Sequence, residues 1–255
     1  MSTTSFTSVL AEIGARASYL RAVRLGSPAS TDSTVWHGVQ SLIDDPETLG
    51  ALVASTAAGR GAAAEPDVAL SLFVQAYSFR VAGVAVAAHV LGLPSPSLNP
   101  SNVAITVDRH RPSGLGYVDD TPLSRTDDEL AHELNVTHFE PFVATARQVT
   151  RIGARLLWGN IAASCVTAIR AMDTVGSPDV RARGERLVAA AAPWFQGLGH
   201  FTTLVGEART GWYWDRTNCC LWYHTAPGRY CDDCSLVDPA ERNQRRMPEL
   251  AVVAS

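Results

Sequence analysis

Apolar residues recur at three- and four-residue steps along most of the chain, a period that predicts helices. Phe6, Val9, Leu10, Ile13, Ala17 and Leu20 trace one apolar face, predicting an amphipathic helix that ends near Arg24 and breaks at Gly26-Ser27-Pro28. At Asp45-Pro46-Glu47 an N-cap, a proline at the first helical position and an acid near the positive helix end start a second helix, which Gly59 and Gly61 close. Glu65-Pro66-Asp67 opens a long apolar helix that Gly92, Pro94 and Pro96 terminate. Thr126–Glu129 and Thr137–Glu140 both read as capping boxes, the second with Pro141 in its tolerated first turn and a helix running to about Thr150. With Gly153 as a soft point, Ile152, Leu156, Leu157, Ile161, Cys165, Ile169 and Met172 predict another helix. Ser177-Pro178 starts one more, through Val188 to a stop at Pro193.

One segment alternates instead. Val103, Ile105 and Val107 are separated by Ala104 and Thr106, as in a half-buried strand. Pro112-Ser113-Gly114 supplies a turn, and Leu115 to Val118 is the expected return strand. After Gly199 the texture changes: glycines and aromatic residues, among them Trp212, Tyr213, Trp214, Trp222, Tyr223 and Tyr230, crowd around a group of cysteines. The tail beyond Asp238 is polar, holds two prolines and is expected to pack weakly. No repeat or linker interrupts the chain. The expectation is one domain over 1–255 with an α+β, predominantly helical fold, a short β-hairpin and a cysteine-rich C-terminal subdomain over 200–237.

Composition narrows the classes. The 255 residues are 46% hydrophobic and only 18% charged, which fits a globular chain and not a disordered one. A net charge of −4 argues against nucleic acid as the main partner. All 21 basic residues are Arg, from which nothing functional follows. Met1 to Arg16 lacks the basic and apolar regions of a signal peptide, so a reducing cytoplasm is expected. The most apolar window, Val68 to Leu93, contains Gln75, Arg80 and His89 and reads as a buried core helix and not a membrane span.

Four of the five cysteines, Cys219, Cys220, Cys231 and Cys234, fall within sixteen residues, spaced C-C-x10-C-x2-C. Such a set suits a soft metal centre. A disulfide reading is disfavoured by the expected compartment and by the strain of a bridge between neighbours. Structural zinc usually takes two C-x2-C knuckles, and only one is present here. A two-iron cluster is wider and accepts ligands from two separate pairs. On chemistry alone, cluster and zinc stand level. The plant-type ferredoxin spacing is absent.

Arg216-Thr-Asn-Cys219-Cys220-Leu-Trp-Tyr223, followed by Cys231-Asp-Asp-Cys234, resembles the C-terminal signature of the FhuF-type ferric-siderophore reductases. His138–Pro141 and Leu157–Asn160 resemble helical motifs of that family, whereas residues 1–60, a variable N-terminal helical region, carry almost no likeness. The family commonly has an Arg shortly after the cysteine pair, where this chain has His224. The resemblance implies a [2Fe–2S] cluster on Cys219, Cys220, Cys231 and Cys234, reduction of a ferric siderophore, and release of ferrous iron. Arg216, His224, Arg229, Asp232 and Asp233 are the charges expected to tune it. No flavin or nicotinamide fingerprint is present, so electrons are expected from an external one-electron donor such as a ferredoxin or its reductase. The expected location is cytoplasmic, compatible with peripheral association at the inner face of a membrane. Redox sensing, electron delivery to another partner, and a structural zinc module are the competing functions.

Other candidates have blander readings. Cys165 sits in a helical apolar pattern and reads as a core thiol. Trp212, Trp214 and Trp222 read first as packing, with shielding of the cluster or docking as the alternative. Arg147, Arg151 and Arg155 are spaced to share one helical face, which reads as solvated, as does Arg109–Arg111 at the hairpin tip. His132 and His138 read as capping or packing residues, and Gly59–Gly61 and Gly197–Gly199 as poor nucleotide loops.

Overall fold

Helix α4, Pro66–Val90, is the axis of the molecule, because its sequence is apolar on almost every face and has to be surrounded. It is the one helix among the described residues long and apolar enough to cross a membrane, and 78% of its most apolar window is buried inside the protein. The computed structural model describes residues 5–26, 35–59, 65–173, 176–225 and 228–251. Ser27, Pro28 and Gly61, to which helix ends were assigned, lie outside these.

Around α4 pack α1 (Phe6–Arg16), α3 (Pro46–Gly59) and above all α7 (Ala154–Met172), with α8 (Pro178–Ala190) beyond. Phe73 and Tyr77 of α4, Phe139, Phe142 and Leu157 are all completely buried. Each such apolar side chain is worth about 1.5–3 kcal/mol against exposure. Asp45 starts α3 as expected, its carboxylate accepting from the Glu47 N–H at 2.9 Å. Short α2 (Val39–Asp44), unpredicted, precedes it.

The first helix is shorter than its pattern. It stops at Arg16, yet Ala17 and Leu20 remain buried, because the chain beyond it lies across α4. A Cβ on Gly83 would fall 2.7 Å from Leu20 Cδ2, so that glycine admits the leucine. The chain then forms β1 (Val23–Arg24), parallel to β4.

The predicted hairpin is present as β3 (Val103–Asp108) and β4 (Arg111–Tyr117), but its turn is elsewhere. Arg109 and His110, both at positive φ (46° and 63°), make a two-residue connection. That geometry matches the twist of paired strands. Pro112–Gly114 lies inside β4, at the end that β1 leaves unpaired, where a missing N–H is tolerated. With β2 (Trp36–Gly38) the result is a four-stranded mixed sheet in the order β1-β4-β3-β2.

The capping box at Thr126 is realised: Thr126 and Glu129 satisfy each other's backbone N–H at the start of α5 (Asp127–His132). The second one is not. The helix continues through wide π-type turns over Glu133–Phe139 into α6 (Glu140–Val149). In a regular α-helix the ring of Pro141 would clash with the carbonyl of Thr137, and wider turns accommodate it. They also turn His138 fully inward, where its ring nitrogens meet Tyr77 OH and the Leu98 carbonyl, each at 2.6 Å. Arg147, Arg151 and Arg155 share no face, because α6 ends at Val149 and α7 begins at Ala154.

After α8 and one turn of helix, α9 (Ala192–Phe195), the chain enters a two-stranded sheet of β5 (Gly199–Val205) and β6 (Thr210–Arg216). Phe201 stacks on Trp212 with centroids 3.9 Å apart, and Trp214 meets its edge. These two tryptophans are buried packing. The polar tail also differs from expectation. It forms α10 (Pro239–Leu250), anchored by buried Arg242, Arg246 and Leu250. The fold is therefore α+β and predominantly helical, with the cysteine region at the C-terminal end.

Candidate metal centre

The four cysteines lie between β6 and α10. Adjacent side chains of an extended strand point to opposite faces, so Cys219 and Cys220 can serve one centre only if the backbone bends. It does so at Leu221, which adopts a left-handed conformation (φ 64°, ψ 9°), uncommon for a leucine. The bend directs the Leu221 N–H at Cys219 Sγ, 3.3 Å away. Opposite, the Cys234 N–H donates to the Cys231 carbonyl at 3.1 Å, closing a tight turn over the C-x2-C segment. Cys220 and Cys234 are buried; Cys219 and Cys231 are partly exposed, and none forms a disulfide.

Cys220 Sγ and Cys231 Sγ stand 3.6 Å apart. Two thiolates about 2.3 Å from one tetrahedral metal would be separated by about 3.8 Å, so these two fit a shared centre. Among the described residues no three His, Cys, Asp or Glu side chains converge on a point suited to one ion. The donor set is four soft sulfurs, two of them 3.6 Å apart, which fits a two-iron cluster.

Charge is arranged to match. The Cys220 thiol is held far below its usual range, chiefly by hydrogen bonds from Cys219 and Cys231 and further by the positive charge of Arg216. The Cys219 and Cys231 thiols are raised, mainly by donating to Cys220 and by burial. Arg216 is buried, with Nη2 donating to Asn160 Oδ1 at 2.6 Å and Nε 3.8 Å from Asp233 Oδ2. Among the described residues its Nε and Nη1 have no hydrogen-bond acceptor. A buried cation with idle donors beside a set of thiolates is a counter-charge for an anionic group bound there.

Of the other residues expected to tune the site, Asp233 is half-buried beside Arg216, and Asp232 is exposed on the same loop. His224 is exposed and lies against the Tyr223 ring, and Arg229 is exposed. No contact brings either of these to the sulfurs among the described residues. Cys165 is a buried core thiol whose pKa burial pushes up to about 12.

Residues far along the chain hold the cysteine loops. Ser71 Oγ in α4 donates to the Cys220 carbonyl at 2.7 Å. Asn160 Nδ2 in α7 donates to both the carbonyl and hydroxyl oxygens of Ser71, each at 2.9 Å, while its Oδ1 receives Arg216. This gives the Leu157–Asn160 motif a structural role. Gly159 does its part by admitting Asn218, which a Cβ would meet at 2.0 Å. On the other side, Arg242 Nη1 donates to the Cys234 carbonyl at 3.0 Å, and Asp215 receives both Arg242 and Arg246. Burial alone would raise the Asp215 pKa, but hydrogen bonds from Thr202 and Arg246 and the nearby arginine charges lower it overall. Ser71, Arg242 and Arg246 escaped the sequence reading. The available signal was a polar residue inside an otherwise apolar helix face, as at Ser71 and Asn160.

Cys220 and Cys231 also form part of the wall of an open cavity of about 580 Å³ between α4, α7, β4 and the cysteine loops. That is the size of a small-molecule site. Trp222, half-buried unlike Trp212 and Trp214, lines it together with the cysteines.

Residues 216–236 match the family model described as the FhuF 2Fe-2S C-terminal domain. No curated protein gives a significant match to the chain.

Proposed function

From a C-terminal region of FhuF type with a [2Fe–2S] cofactor, we propose that this protein reduces ferric siderophore complexes and releases ferrous iron, with Cys219, Cys220, Cys231 and Cys234 as the cluster's ligands. The observation that carries this reading is the shared wall: two of the four cysteines face a cavity large enough for a compact chelate. The cluster supplies one electron at a time when bound. The chain's own residues have positioning and electrostatic tasks. Ser71 and Arg242 fix the carbonyls of Cys220 and Cys234, so the loops keep their spacing. Buried Arg216 offsets the negative charge of the thiolates and favours acceptance of an electron. Trp222 lines the cavity beside the ligands.

The substrate's chemistry asks for nothing else. Ferric iron is gripped by hard oxygen ligands, and one added electron weakens that grip. No general base or nucleophile is needed. The electron comes from an external one-electron donor, such as a ferredoxin or its reductase, and the reaction takes place in the cytoplasm.

Anaerobically purified protein is expected to contain two irons and two sulfides with the charge-transfer absorption of a two-iron cluster. After chemical reduction it should pass electrons to ferric hydroxamate or catecholate complexes, yielding ferrous iron to a colorimetric chelator. Failure with several chemically different complexes, cluster intact, would shift the assignment to electron delivery or redox sensing. A colourless protein with one stoichiometric zinc would end the cluster reading altogether.

A further inference from the structure

The cavity is lined by small as well as charged residues of two helices. Ala76 of α4 and Ala163 of α7 are among them. Further along the same helices stand Arg80 and Arg170, and β4 adds Arg111 just after the hairpin turn. None of these three forms an ion pair with a carboxylate among the described residues. Arg80 donates to the Tyr19 carbonyl at 2.9 Å and lies near the Phe79 ring, and Arg170 stacks 4.6 Å from the Tyr213 ring. Such contacts orient a guanidinium without neutralising it.

The other charges on the wall are mostly spoken for. Arg246 is bound to Asp215 and Asp233 lies beside Arg216, whereas Glu249 keeps its charge and accepts only a hydrogen bond from the neutral Tyr213 OH. That leaves three cations without a carboxylate partner among the described residues, against the carboxylates of Asp232 and Glu249. Repulsion between Arg80 and Arg111 is strong enough to lower the Arg80 pKa, second only to desolvation. Like charges gathered in a partly enclosed space are costly unless an anion joins them.

We infer that this cavity is the chelate site, that it selects ferric complexes of net negative charge, and that Arg80, Arg111 and Arg170 are the selecting residues. The inference rests on the proposed reductase reading. Bound there, the ferric complex lies against Cys220 and Cys231; one electron from the reduced cluster turns its Fe(III) into Fe(II), and the cluster returns to its oxidised state.

The test uses ferric trihydroxamates with one iron-binding core and three peripheral charges: a free ammonium, its neutral acetamide, and its succinylated carboxylate. Binding to the oxidised holoprotein is read by quenching of tryptophan fluorescence, which needs no turnover. The carboxylate form is expected to bind about tenfold more tightly than the ammonium form at low salt, the gap shrinking as salt screens it. Arg111→Gln and Arg170→Gln should each narrow that gap with the visible spectrum unchanged, while Arg151→Gln, on an exposed residue outside the cavity, should leave it intact. Equal binding of all three, tighter binding of the cation, or an unchanged gap in both cavity variants would overturn the inference. If all three chelates are reduced without preference, the reductase reading survives and this inference does not. If the preference is present but none is reduced, the reductase reading fails and the anion site stands.

Discussion

Replacing Arg216 by Met tests whether its buried charge sets the redox behaviour of the site. Arg216 is 3% exposed and its charge acts on Cys220, and among the described residues its one hydrogen-bond acceptor is Asn160. Taking a separation of about 6 Å and an effective dielectric of about 20, a unit charge contributes about 2.8 kcal/mol to stabilising an added electron. At 59 mV for each 1.36 kcal/mol, that corresponds to about 120 mV. Met fills similar space without charge, so the midpoint potential of the loaded protein should fall by about 100 mV, and Asp233, left without its cation, deepens the fall. The measurement is an anaerobic redox titration of the visible spectrum. Arg216→Lys retains the charge and loses only the Asn160 bond, so it should shift the potential less than half as far. A potential unchanged in Arg216→Met, or raised, would refute the electrostatic argument; an equal fall in both variants would trace the effect to distortion of the loop.

Cys220→Ser should abolish or strongly alter the cluster spectrum, whereas Cys165→Ser, in the core of α7, should leave it unchanged. Gly159→Ala places a methyl 2.0 Å from the Asn218 amide and should destabilise the cysteine loop, read as faster cluster loss in a chelator challenge. Arg246→Leu leaves Asp215 with Arg242 and Thr202 as its partners and should cost about 1.5–3 kcal/mol, with α10 gaining protease sensitivity at lower denaturant. The His138 ring is completely buried and its pKa is lowered from 6.5 to about 4, mainly by desolvation, against the pull of the Leu98 carbonyl and Glu133. The unfolded chain therefore takes up this proton first, and as pH falls from about 6.5 to about 4 the group removes about 3 kcal/mol of stability, having no effect above that window. An NMR titration showing His138 protonated near pH 6.5 would contradict this.

Local pattern determined a good deal by itself. The 25-residue apolar run of α4 had to be a buried helix once Pro66 opened it and Gly92 closed it. The Thr126–Glu129 box is satisfied within four residues, so its geometry needs nothing distant. The cysteine spacing was enough to name a soft-metal site, and its neighbours enough to name the family it resembles. Sequence period could not place what pairs across long separations. Strands β1 and β2 are two and three residues long, too short for any alternation to register, and exist because the open edges of β4 and β3 supply their hydrogen bonds. The tail after Asp238 is polar and holds two prolines, which predicts weak packing, yet Arg242 and Arg246 are buried against Asp215, and only the tertiary structure supplies that acid. The same holds at the metal centre. The four sulfurs are local, but the Ser71–Asn160–Arg216 clamp and the trio Arg80, Arg111 and Arg170 join α4, β4, α7 and β6, segments whose meeting is fixed by packing and by no residue's immediate neighbours.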